Sequence, residues 1–170
     1  MPKVKSGRYQ AAYSVHKQGC VPWPSLALPN YWQEDYHSCG FNAALTVARY
    51  FNSKVPDKWV LDAIRPRLNS GTDNERMMRG LAMLGIGTRY REDMDQSSLY
   101  GLLAMGLPVI VTVWPDGWAG DHWTVVRAMS ARRVHLTNHY SMSVEDFQYE
   151  WIEAWEEGDC GAGIICTKGR

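Results

Sequence analysis

The chain has 170 residues, enough for one domain with a substantial core and too few for two of ordinary size. A composition of 45% hydrophobic and 21% charged residues excludes a disordered chain. Eighteen Lys plus Arg balance eighteen Asp plus Glu, which leaves no electrostatic footprint for nucleic acid or an anionic membrane surface.

The first thirty residues mix Gly, Pro and aromatics without period, and Val21-Pro22-Trp23-Pro24-Ser25 favours extended or polyproline backbone. They read as an N-terminal arm over residues 1–30 that wraps a domain spanning 31–170. From Gly40 the texture changes. Phe41, Ala44, Leu45, Ala48 and Phe51 recur at three- and four-residue spacing, which predicts a helix with one buried face starting at Cys39 or Gly40. Lys58 to Ile64 predicts a short helix stopped by Arg65-Pro66. Thr72-Asp73-Asn74-Glu75 has the capping-box form that opens another, with Met77, Leu81 and Leu84 as its apolar stripe and Gly85 at its end. Ser97 to Met105 predicts a further helix, closed at Gly106-Leu107-Pro108. On this reading the first two thirds of the chain is mostly helical.

Runs rich in β-branched and aromatic residues follow: Val109 to Trp114, His122 to Val126, and Arg133 to Thr137. Separated by turn-like segments, they predict three strands of an antiparallel sheet. Ser143-Val144-Glu145-Asp146 is another cap signature, leading into Phe147, Trp151, Ile152 and Trp155, and Ile164-Ile165-Cys166 predicts a last strand. Helices followed by strands give an α+β architecture, a helical layer packed against an antiparallel sheet. The longest apolar run, Leu107 to Trp114, is far below the about 20 residues a membrane helix needs, and no charged-then-apolar start signals export. The expectation is a cytoplasmic protein with no membrane span.

The four cysteines, Cys20, Cys39, Cys160 and Cys166, contain no Cys-x-x-Cys pair of the kind that holds structural zinc. Free thiols are expected, with a disulfide from Cys20 to a C-terminal cysteine as the lesser alternative. Cys39 stands out because a cysteine at a helix N-terminus meets unpaired backbone N–H groups and the positive end of the helix dipole, which favour thiolate over thiol. Its own N–H is a candidate oxyanion donor, and the amide of Gln33, six positions upstream, is a candidate second donor if the segment loops back. A thiolate nucleophile needs a histidine, and that histidine needs an acceptor to fix its ring. His122 opens the second predicted strand. Asn138 ends the third, so the two lie near the same end of adjacent strands if those strands form a hairpin.

Each residue also has a plainer reading. A cysteine before an apolar helix is more often a small buried hydrophobe, and a histidine at a strand start is usually a satisfied surface residue. Gln33 then belongs to a surface loop and Asn138 to a strand-ending turn. His37 competes weakly as base, and His135 and His139 read as strand and turn surface. Trp114, Trp118 and Trp123 line either a substrate groove or the core. Glu145, Glu150, Glu153, Glu156 and Glu157 form a solvated acidic face. The order of amide, Cys-Gly opening a helix, His opening a strand and Asn ending the next favours chemistry.

Gln33 through Tyr50, Leu102 through Ile110, His122-Trp123-Thr124-Val125-Val126 and Ser143 through Phe147 together resemble the bacteriocin-processing leader peptidases, a papain-like group. The similarity runs from about Tyr31 to Trp151. It implies Cys39 as nucleophile, Gln33 in the oxyanion hole, His122 as base and Asn138 as its orienter, with no metal or organic cofactor and a peptide or protein substrate. The sequence departs from that family at Ser38, where an acidic residue is common. It departs again at Asn138-His139, where an Asp-Pro pair is common. The expected activity is that of a cysteine peptidase or amidase working through a thioester acyl-enzyme. The same residues also serve an acyl-transferring, transamidase-like enzyme, and the fold without turnover serves a peptide-binding module.

Overall fold

The computed structural model describes residues 23–31, 33, 38–67, 71–114, 121–137, 141–153 and 161–169. Five helices and six strands follow in chain order: α1 (Cys39–Phe51), α2 (Asp57–Ile64), α3 (Asn74–Met83), β1 (Ile86–Met94), α4 (Gln96–Ala104), β2 (Val109–Val113), β3 (His122–Met129), β4 (Arg133–Leu136), β5 (Ser141–Ser143), α5 (Val144–Glu153) and β6 (Gly161–Lys168). The strands form one sheet in the order β1-β6-β2-β3-β4-β5, every pairing antiparallel.

The helix boundaries follow local chemistry. α2 ends where Arg65 takes a left-handed conformation (φ 46°) ahead of Pro66. The turns after α3 and α4 need positive φ, supplied by Gly85 (75°) and Gly106 (77°), a conformation glycine adopts without strain. The hydroxyl of Ser143 accepts from Asp146 N–H at 2.9 Å, as the cap signature predicts. At α3 the cap moves by one residue. Asp73, not Thr72, accepts from the Arg76 N–H (2.8 Å), which leaves the Thr72 side chain for another use.

Two strands were not expected. β1 lies between the helix expected to end at Gly85 and the one expected from Ser97, in a stretch given no element of its own, because only Ile86 and Met94 at its ends are fully buried and its charges mask the alternation. It is an edge strand paired to β6 alone. β5 is only three residues long.

Strands β2 and β6 are buried at successive positions, as is the first half of β3. Neighbouring residues in a strand point to opposite faces, so this part of the sheet is covered on both. α1 packs on β3, with α2 and α3 against it, and α5 packs on β2 and β6. Before α1 the chain joins the sheet: Leu26 N–H donates to Arg127 O (2.8 Å), Met129 N–H donates to Pro24 O (3.2 Å), and Leu26 and Leu28 enter the core.

Candidate active site

Cys39 is the first residue of α1, and the helix's own ladder begins with Asn42 N–H donating to Ser38 O at 2.8 Å. The first turn contains no acidic residue and Ser38 makes no side-chain cap, so no carboxylate of that turn offsets the positive end of the dipole. The Cys39 side chain is buried, 5% exposed.

The reason for glycine at position 40 is packing. A Cβ there would stand 2.6 Å from Thr72 Oγ1 and 2.7 Å from Thr72 Cβ, closer than nonbonded atoms approach. Gly40 has an ordinary helical conformation, not one of the positive-φ turns. Thr72 therefore lies directly on the start of the helix, one residue past Cys39.

His122 opens β3 opposite Val113 of β2 and is 3% exposed. Burial pushes its imidazole down to about 4, so the ring is neutral near pH 7. The next residue, Trp123, is also buried, and its indole Nε1–H donates to the Thr72 carbonyl at 2.6 Å. Thr72 thus touches the residue after Cys39 and the residue after His122. The start of α1 and the start of β3 meet at this one residue.

Gln33 is half-buried on the irregular segment that leads to α1. That segment is tied to the helix two residues earlier, where Arg49 Nη1 donates to Tyr31 Oη at 3.0 Å and the guanidinium lies 5.4 Å from the Tyr31 ring centre. Asn138 falls outside the described residues, as do His37, His139 and Trp118. The last described residue of its strand end, Thr137, bonds back to β3: Val125 N–H donates to Thr137 Oγ1 at 3.1 Å, and Thr137 N–H donates to Val125 O at 2.9 Å.

Of the remaining candidates, His135 and Cys166 lie on other strands, and Trp114 directly follows Val113, the partner of His122. His135 is exposed on β4, with its pKa lowered by partial burial and by Arg133 and Arg127. Cys166 is a fully buried free thiol on β6, its Sγ directed at Ile164 O (3.6 Å), and burial pushes its pKa far up. Trp114, at the end of β2, is 41% exposed. Thr72 is the residue that sequence reasoning missed. Two cap-type residues in succession, Thr72 and Asp73, were the available signal, since one helix needs only one N-cap.

No protein-family model and no curated protein matches the sequence, but solved structures match the backbone. The peptidase domain of Streptococcus ComA, a bifunctional ABC transporter of a quorum-sensing pathway, superposes with a TM-score of 0.64 at 21% identity, over 81% of this chain and 96% of that one. The chain has the C39 peptidase fold. A double-glycine-motif protease from an AMS/PCAT transporter, solved with its leader peptide, gives 0.62 at 13% identity over 86% and 94% of the two chains. A C39-like peptidase from Bacillus anthracis gives 0.62 at 11% over 84% and 96%. The C39 fold is a papain-like α+β arrangement, and among the described residues no helix is long and apolar enough to cross a membrane. At these identities the likeness is one of backbone, so the chemistry rests on this chain's own residues.

Proposed function

We propose that this protein is a cysteine peptidase in which Cys39 is the nucleophile and His122 the general base, acting on a peptide substrate. The observation that supports the reading is that Cys39 and His122 open two elements whose next residues share one neighbour, Thr72, which lies against Gly40 and accepts from Trp123. The neighbouring folds, all peptidase domains and one of them holding a leader peptide, support the same reading.

The chemistry follows from the environment of each group. His122 is neutral at rest because burial disfavours its charged form. As the Cys39 sulfur attacks the carbonyl carbon, the imidazole takes the thiol proton, and the negative charge passes to the carbonyl oxygen. The Cys39 N–H and the Gln33 amide are the donors proposed for that oxyanion, and the first turn of α1 supports the same charge through its dipole. The imidazolium then protonates the leaving amine, leaving a thioester on Cys39. Water, deprotonated by His122, hydrolyses the thioester and returns the thiol. Asn138 is proposed to hold the imidazole ring; an amide orients it without adding charge.

The test is cleavage of a complex peptide pool followed by mass spectrometry. The parent should generate new termini, and Cys39→Ala and His122→Ala, both folded by circular dichroism, should generate none. Identical products from the parent and Cys39→Ala would remove the proposal.

A further inference from the structure

Thr72 is 6% exposed, and among the described residues its hydroxyl has no hydrogen-bond partner. A buried hydroxyl normally finds a partner, and among the described residues the contacts of Thr72 are made by its side-chain bulk and its carbonyl. What it supplies is a rigid shape between two elements. Its backbone is pinned on both sides. Upstream, Arg67 and Gly71 exchange both backbone hydrogen bonds, 2.9 Å each, and Arg76 Nη1 donates to Arg65 O at 2.8 Å. Downstream, Asp73 caps α3. One side of the residue fills the space that a Cβ at position 40 would take, and its carbonyl receives the Trp123 indole.

We infer that Thr72 and Trp123 form a clamp that fixes the start of α1 relative to the start of β3, making them positioning residues for the Cys39–His122 pair. The inference rests on the cysteine-peptidase reading above and adds the device that sets its geometry. α1 comes from the N-terminal helices and β3 from the sheet, and a displacement of about 1 Å between reacting groups is enough to cost rate. A side chain wedged against Gly40 and a hydrogen bond to the residue beside His122 resist that displacement. Cys-Gly is then required by the clamp, because any side chain at position 40 would push Thr72 away from the helix.

The experiment measures alkylation of Cys39 by iodoacetamide across pH in Trp123→Phe, Thr72→Ala and Thr72→Val, with His122→Ala as the reference for a thiol without its histidine. Trp123→Phe keeps an aromatic ring, smaller than the indole, and removes the donor. Thr72→Ala opens a gap against Gly40, and Thr72→Val refills it with the same volume. The profiles of Trp123→Phe and Thr72→Ala should move toward that of His122→Ala by about one pH unit, roughly a tenfold change in rate on the steep limb, while Thr72→Val recovers the parent profile. Should Trp123→Phe fail to fold, the Thr72 pair alone decides. If His122→Ala shifts the profile and neither Trp123→Phe nor Thr72→Ala does, the clamp is wrong and the peptidase reading stands. If Thr72→Val behaves as Thr72→Ala, the hydroxyl is what matters and the clamp is overturned. If His122→Ala itself leaves Cys39 unchanged, the peptidase reading falls and the clamp with it.

Discussion

His122 stands directly opposite Val113 in the β2–β3 ladder, and both side chains are buried. Burial disfavours the charged form of an imidazole, and this one is pushed down to about 4. That has a consequence for stability. In the unfolded chain the ring titrates near the ordinary value of about 6.5. Above that pH it is neutral in both states and its contribution to stability is fully present. Between about 6.5 and 4 the unfolded state binds the proton first, so stability falls by roughly 1.4 kcal/mol per pH unit, about 3 kcal/mol in all. Denaturant unfolding of the parent and of His122→Gln, at neutral pH and near pH 4, should show a loss of that order in the parent that the variant lacks. Equal losses would mean that the folded protein holds the ring charged, as a standing ion pair with the Cys39 thiolate would.

Gln33 should separate nucleophile from oxyanion hole. Gln33→Ala is expected to leave the rate of Cys39 alkylation almost unchanged and to slow peptide cleavage by about 10²-fold, the usual cost of losing one oxyanion donor. Rates of both reactions on the same preparation check it. A parallel fall in both would assign Gln33 to holding the segment in place, alongside the Arg49–Tyr31 contact.

Much of this was legible in the sequence, for identifiable reasons. α1 announced itself because Ala44, Leu45 and Ala48 repeat with a helical period, but the expected single buried face is too narrow: every residue from Asn42 to Ala48 is buried, while Phe41 and Phe51 are only partly so. β2 and β3 did so because their β-branched runs are buried at consecutive positions. β1 was missed because an edge strand needs only intermittent burial, and Arg89, Arg91, Glu92 and Asp93 are compatible with solvent on that edge. Thr72 was misread for a different reason. Its local pattern satisfied a capping box, and only the tertiary contact with Gly40 shows that Asp73 does the capping. The Cys-Gly pair carried part of that information, since glycine inside a helix is unfavourable unless something lies against it.

Asn138 is proposed as the orienter of His122, and its substitutions discriminate. Asn138→Ala should lower peptide cleavage partially where His122→Ala removes it, because a base is indispensable and its orienter is not. Asn138→Asp should support cleavage and raise the pKa of His122, since a nearby negative charge favours imidazolium. The reaction requires neutral His122, so the acid limb of kcat/KM should move to higher pH in Asn138→Asp. Profiles of both variants that coincide with the parent would reduce Asn138 to a strand-ending residue.

The most direct measurement is to treat the folded protein with a peptidyl chloromethyl ketone and find by mass spectrometry which of Cys20, Cys39, Cys160 and Cys166 is modified first. Cys39 should be labelled ahead of the others, and His122→Ala should abolish that preference. Cys166, fully buried with its pKa raised by that burial, should react only after the protein is unfolded. Labelling of Cys20, Cys160 or Cys166 in preference to Cys39 in the folded protein would contradict the assignment of Cys39 as the nucleophile.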